Sequence, residues 1–165
     1  MKVSALMSGK TPSPEYAGVA TADDFVLAID TASTASESPN DYVVVQGGIT
    51  SVDAQINPES EDKTYIRNGK VTTKTATQRT FSVSGDRMHG DDFQDFAFGH
   101  AIKFGTGQAV IKPYVYFSIL TGKGEKGEAA IIVNSDGSGD AGASATVDIE
   151  VRATKAPTEY TYSST

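Results

Sequence analysis

Lys70-Val71-Thr72-Thr73-Lys74-Thr75-Ala76-Thr77-Gln78-Arg79-Thr80-Phe81-Ser82-Val83-Ser84-Gly85 reads as one long extended strand. Threonine and valine dominate it, and β-branched side chains fit a pleated, half-buried surface. Alternation places Thr72, Lys74, Ala76, Gln78, Thr80 and Ser82 on one face, with Val71, Thr73, Thr75, Thr77, Arg79, Phe81 and Val83 on the other. Only the end near Phe81 and Val83 is apolar enough for a core. The threonine-rich half is predicted to run beyond the folded body or to be covered by another chain.

The same period of two extends on both sides of this strand. Upstream, Tyr42-Val43-Val44-Val45 is a β-branched run, and Val52, Ala54 and Ile56 alternate with Ser51, Asp53 and Gln55. Gly47-Gly48 falls where the side-chain phase must reset, as a bulge or sharp bend requires. The segment from Asn57 to Lys70 is polar, and its Asn68-Gly69 pair suits a type I′ hairpin turn. A long loop or hairpin is therefore predicted to project from the sheet, with Tyr65 and Ile66 near its tip. Downstream, Val110 to Leu120 alternates Val115, Phe117 and Ile119 with Tyr114, Tyr116 and Ser118, and Ala129 to Val133 is a short apolar strand. Thr146 to Arg152 is the cleanest amphipathic strand, with Val147, Ile149 and Val151 opposite Asp148, Glu150 and Arg152.

Gly90 to Phe104 is the one segment with helical spacing. Asp91 or Asp92 is placed to cap it, and Phe93, Phe96, Ala97, His100, Ala101 and Phe104 form its apolar stripe. The first 40 residues are weakly patterned apart from Phe25-Val26-Leu27-Ala28-Ile29, a candidate buried strand. These readings predict a mainly β, α+β chain: a β-sandwich of antiparallel strands with one flanking α-helix, a long projecting loop and flexible termini. Its parts are an N-terminal arm with a short strand (1–40), a β-sandwich domain (41–153) and a C-terminal tail (154–165).

Composition narrows function by exclusion. The 165 residues fit one domain, since single domains hold roughly 100–200 residues. There is no cysteine, which removes disulfides, thiolate zinc sites and cysteine nucleophiles. A formal charge of −7 and a pI near 4.7 oppose a whole-surface grip on nucleic acid or an anionic membrane. Met1 to Met7 meets the polar run Ser8-Gly9-Lys10-Thr11-Pro12, so neither a secretory core nor a membrane helix is expected, and synthesis in the cytoplasm is.

Candidate chemistry is sparse. His100 lies on the helical stripe and reads as a partly buried packing residue; His89 adjoins Gly90-Asp91-Asp92 without a second ligand at metal spacing. Asn134, Asp136, Ser138 and Asp140 start like a calcium loop, but Ala145 stands where the bidentate glutamate belongs, which favours a flexible connection. Gly105-Thr106-Gly107 and Gly122-Lys123-Gly124-Glu125-Lys126-Gly127 match no phosphate-binding fingerprint, and the second reads as a hairpin turn. Ser84-Gly85-Asp86 lacks the serine-hydrolase elbow. No catalytic constellation, metal site or cofactor site is predicted, and the chain reads as no enzyme.

Several segments taken in order resemble the major tail tube proteins of long-tailed, non-contractile bacteriophages. They are Thr64-Tyr65-Ile66-Arg67-Asn68-Gly69, the strand ending Gln78-Arg79-Thr80-Phe81-Ser82-Val83-Ser84-Gly85-Asp86-Arg87, and the helix opening Gly90-Asp91-Asp92-Phe93-Gln94-Asp95. The Asp/Gly stretch Ser135 to Gly142 running into Ala145 to Ala153 adds to these, so the likeness spans about Tyr42 to Arg152. The resemblance implies a structural virion protein whose six copies form a ring, with strands joining across subunits into an inner barrel. Rings would stack into a tail tube for genome delivery, assembled in the host cytoplasm. It implies self-association as the main partnership, then a tape measure, a tail terminator and distal tail proteins, with DNA passing through the lumen unbound and no membrane contact. The loop from Asn57 to Lys70 resembles the family's extended loop, which makes Glu59, Glu61, Lys63, Tyr65, Ile66, Arg67 and Asn68 the expected inter-ring or intersubunit contacts.

Other readings stay open on the sequence. Tyr114 and Tyr116 on one strand face would suit a surface-exposed carbohydrate-binding or adhesion β-sandwich. Asp91 with Asp95 would suit a small acid/base hydrolase. A tail terminator, or the tube of a contractile tail, would share the texture of the main reading.

Overall fold

The computed structural model describes residues 1–164. Its elements are a short helix α1 (Val3–Leu6), then β1 (Phe25–Ile29), β2 (Val43–Val44), β3 (Ile49–Gln55), β4 (Pro58–Tyr65), β5 (Gly69–Thr77) and β6 (Thr80–Asp86). Two small helices follow, α2 (Asp92–Ala97) and α3 (His100–Lys103), before β7 (Ile111–Ser118), β8 (Lys123–Ser138), β9 (Thr146–Ala153) and β10 (Thr158–Thr161). One antiparallel sheet runs in the order β2-β1-β7-β8-β9-β6-β3, with β10 added along the first residues of β8; β4 and β5 form a separate hairpin. The β-rich fold with few helices is the one expected.

The sheet is a single curled surface and not two separate sheets. Strands lie about 4.8 Å apart, so β6 and β7, separated by β8 and β9, would stand roughly 14 Å apart if flat. Yet the Phe81 ring on β6 lies 5.5 Å from Tyr114 and 4.9 Å from Tyr116 on β7. The sheet therefore folds back on itself around these rings. Inside the curl, Leu27, Val45, Phe81, Val83, Ile149 and Val151 pack with Phe93 and Ala97 of α2. Sixteen residues give β8 the reach to join both halves: β7 and β10 pair with its start, β9 with its end.

The ends of the chain, Met1 to Met7 and Thr158 to Tyr162, pack on the body, where a flexible arm and tail are expected. Val3 and Met7 are buried against Val26, Ala28, Val44, Val115 and Phe117, on the outer face of β1 and β7. Met1 accepts the Val44 amide at 2.9 Å and Val3 donates to Tyr42 at 3.0 Å, so the first residues extend the β2 edge. At the other end Tyr160 and Tyr162 pack on the Phe117 ring at 5.6 and 5.8 Å. Burial pushes the Tyr160 phenol up to about 12. β1 is consequently apolar on both faces, which is why it carries no alternation in the sequence.

Three local expectations change. The 90–104 helix breaks at Gly99, which N-caps α3. The stripe does not survive that break: Ile102 is buried, while His100 and Ala101 turn outward. Asn134 to Ser138 belongs to β8 instead of a flexible connection. Gly124 and Gly127 likewise sit inside β8 instead of a hairpin turn. Gly124 pairs with Phe117, and a Cβ there would stand 2.0 Å from the Tyr116 carbonyl oxygen and 2.4 Å from the Phe117 Cα. That obstacle is backbone and cannot swing aside. Gly124→Ala is expected to cost about 1–3 kcal/mol, the range for overpacking, in urea denaturation of the unassembled chain. Gly137→Ala, whose Cβ would meet nothing within 4 Å, is the neutral control on the same strand.

Candidate functional site

The hairpin of β4 and β5 is exposed at every residue. Eight residues at about 3.3 Å each carry it roughly 26 Å past its base. Tyr65 pairs with Gly69, so the turn is Ile66-Arg67-Asn68, and the positive φ angles fall on Arg67 (72°) and Gly69 (72°). The expected turn centred on Asn68-Gly69 is displaced by the register of the strands. That register sets Asp62 opposite Thr72, whose hydroxyl donates to it at 2.7 Å, and beside Lys70 at 2.7 Å. The Lys70 hydrogen bond, then that of Thr72, holds the Asp62 carboxyl below its usual range. Lys63 and Glu61 pair at 3.4 Å.

All seven candidate contact residues lie on this one projection. Glu59, Glu61 and Lys63 line β4, Tyr65 ends it half-exposed at 51%, and Ile66 stands at the apex at 88%. A two-stranded ribbon with apolar groups at its tip is marginal in water by itself.

At the hairpin's base the direction is fixed. Asn57 takes a φ of 48°, and the Gln78 amide donates to Ile56 at 3.0 Å, closing the ribbon before it enters the curl. Arg79, only 12% exposed, lies over the rings of Phe81 at 4.7 Å and Tyr116 at 5.0 Å, and its Nε donates to Glu125 at 2.6 Å. Burial, reinforced by Glu125, pushes the Tyr114 phenol well above its usual range. The sequence signal for this joint was a single arginine sharing a strand face with Phe81 and Val83. It went unread because its carboxylate partner is 46 residues away.

The second surface is the outer face of the panel β3-β6-β9-β8. Asp53, Ser82, Glu150 and Ile132 are aligned across the four strands, and Ser51, Ser84 and Asp148 form a neighbouring row. The opposite face carries Val52, Val83, Ile149 and Val133 in register, turned toward the core. Asp86 extends the acidic face, and Arg152 is paired with Glu150 at 3.1 Å. Hydroxyls and carboxylates dominate this face, with Ile132 and the paired Arg152 beside them. Both edges of the panel are open among the described residues. β3 ends the sheet, and β7 pairs with β8 only as far as Ala130, leaving Ile131 to Ser138 without a strand partner on that side, with Lys103 of α3 paired to Asp136 at 2.7 Å.

The remaining candidates have structural partners. Asp91 accepts the Gln94 amide at 3.0 Å as the α2 cap, while Asp95 is bound by Arg87 at 2.9 Å and by the Gly90 amide at 2.9 Å. The Arg87 hydrogen bond holds Asp95 below the usual carboxylate range. Gln94, unremarked in the sequence, is buried and donates to the Gly47 and Asp86 carbonyls at 2.7 and 2.9 Å, tying α2 to the bend before β3. The Gly47-Gly48 bend does reset the phase, with a register shift between Ile49 and Ser51. His100 is exposed beside Phe104 at 5.1 Å and is not the packing residue expected. Asp136 pairs with Lys103 at 2.7 Å, and no group of three or more His, Asp or Glu side chains is set to hold a metal among the described residues. Tyr114 is 1% exposed and Tyr116 lies against Phe81, so neither offers the aromatic platform of the carbohydrate-binding alternative.

The chain combines an acidic panel with unpaired strand edges and a projecting hairpin, and solved structures share the fold that carries them. The chain matches a component of the tail of an empty GTA particle of C6 symmetry with a TM-score of 0.56 and 16% identity, covering 87% of this chain and 100% of that one. It matches a chain of the virion of a native gene transfer agent with a TM-score of 0.55 and 13% identity, covering 86% and 98%. A third match is the tube-terminating cap of the anti-feeding prophage, with a TM-score of 0.51, 15% identity and 93% of both chains covered. No family model matches the chain, and no curated protein matches its sequence. At these identities the likeness is one of fold: this chain is folded like structural components of virion tails and tail-like tubes.

Proposed function

We propose that copies of this chain join laterally into rings and that the rings stack into a tail tube through which a genome is delivered. The observation that carries this reading is the pair of open edges on the acidic panel. β3, β6, β9 and β8 alternate in direction, which would let the unpaired edge of β8 in one copy meet β3 of the next in antiparallel order. The two edges differ, which makes the contact heterologous, and a heterologous contact closes into a ring or runs on as a filament. Ring closure would leave no free edge on the panel. Six copies per ring is the number the C6 tail makes natural.

In this arrangement the panel's outer face lines the channel, and the hairpin meets a neighbouring ring. Self-association is then the principal partnership. A tape measure, a tail terminator and distal tail proteins complete a non-contractile tail, with DNA passing unbound. Electron microscopy of the concentrated protein is the deciding experiment. Tubes with a central channel are expected, and a monomer persisting at millimolar concentration sinks the reading.

The hairpin's part is separable from folding. Tyr65→Ala or Arg67→Glu is expected to shorten or abolish tubes while leaving the unfolding free energy within about 0.5 kcal/mol, because neither residue touches the core. Negative-stain tube lengths beside a urea titration test both halves, and full-length tubes from either variant remove the hairpin from the interface.

A further inference from the structure

The curl does not close. Between its two ends, β1 and β2 on one side and β3 on the other, lies a groove of about 440 Å³. Leu6, Phe25, Val45, Ile49 and Val52 form its apolar walls, and Asp23 stands at its mouth. Phe25 is 42% exposed there, stacked on Tyr116 at 5.7 Å. Asp23 has no ion-pair partner among the described residues, whereas the other end of the same strand system launches the hairpin.

We infer that this groove receives the hairpin tip of a second copy, with Ile66 in the apolar cleft and Arg67 paired to Asp23. The inference rests on the stacked-ring reading and adds its acceptor site. Complementarity of both kinds supports this occupant. Ile66 is the most exposed large apolar residue outside the first 24, and the groove is where the main core meets solvent. Arg67 has no carboxylate partner in its own copy among the described residues, since Asp62 is taken by Lys70 and Glu61 by Lys63. The placement also suits head-to-tail growth. The groove follows the first half of β3, Ile49 to Val52, and the hairpin departs beyond Gln55 at its far end. A tip reaching roughly 26 Å past one end of a subunit meets the opposite end of the next. Donor and acceptor are different surfaces, so the contact repeats without limit along the axis.

The absence of cysteine makes the test clean. Ile66→Cys protein and Thr50→Cys protein, mixed in equal amounts, are assembled and oxidised. The expected product is a disulfide-linked pair at least tenfold above either variant alone, which also excludes bonds within one chain. Independently, Arg67→Glu and Asp23→Lys each shorten tubes, and the two together restore them. Tubes that form without the 66–50 bond, a bond between two Thr50→Cys chains, or a charge swap that fails to restore length overturns the docking and leaves the ring reading standing. If the unsubstituted chain makes no tubes at all, the ring reading falls and this inference falls with it.

Discussion

Phe81→Ala is expected to lower the unfolding free energy by about 3–5 kcal/mol, among the largest losses any single truncation in this chain produces. The reason is its place in the curl. Phe81 is fully buried, pairs with Ala54 and Val151 in the sheet, and touches Tyr114 and Tyr116 across the core. Its ring is also one of the two surfaces on which Arg79 lies. Truncation opens a cavity where the two halves of the sheet meet and strips cover from a nearly buried cation. Phe81→Leu keeps most of the volume and is expected to cost about 1.5 kcal/mol or less. Ser82→Ala, one residue along and on the outer face, is expected within about 0.5 kcal/mol. Urea titration of the unassembled chain measures all three. A loss under about 1 kcal/mol for Phe81→Ala would show that the curl is held elsewhere.

The same residues explain what was legible in the sequence. Alternation requires one wet face and one dry face, so β9 and the Phe81–Val83 end of β6 were readable residue by residue. The threonine-rich end could be read as leaving the body because it carries nothing to bury, and the hairpin followed from that. β1 and β7 are covered on both sides, by the main core within and by Val3, Met7, Tyr160 and Tyr162 without, so β1 carries no alternation and that of β7 does not separate a wet face from a dry one. β8 was read only at Ala129 to Val133, because Gly124, which looks like part of a turn, is in fact demanded by close backbone approach. Of the candidate site, the hairpin residues were found as one group. The groove was not, since Asp23, Phe25, Val45 and Val52 are distant in sequence and meet only when the sheet bends round. The acidic panel has the same origin: Asp53, Asp148 and Glu150 are separate in the chain and aligned only by strand register.

Neutralising that panel is expected to change how assembled tubes treat DNA more than any other exposed substitution. At −7 per copy the proposed six-membered ring would carry a formal charge of about −42, and Asp53→Asn, Asp148→Asn and Glu150→Gln together would remove about 18 of those charges. The last change also frees Arg152, now paired with Glu150 at 3.1 Å, to stand on the panel's outer face as an unopposed cation. Duplex DNA bears a charge every 1.7 Å or so, and binding through such contacts weakens steeply with salt. The triple variant is expected to assemble normally, since the three side chains lie on the outer face of the panel. Its tubes are expected to retain labelled duplex at least tenfold more than unsubstituted tubes at 50 mM salt, with the difference gone by about 0.5 M. Glu15→Gln, Glu37→Gln and Glu159→Gln make the same charge change away from the panel strands and form the control. Equal retention by the two sets would mean that net charge alone repels DNA and that the panel is not the wall it meets. Retention confined to the panel variant places the phosphates against Asp53, Asp148 and Glu150, because screening within about 10 Å at 0.1 M salt leaves remote carboxylates with little influence on them.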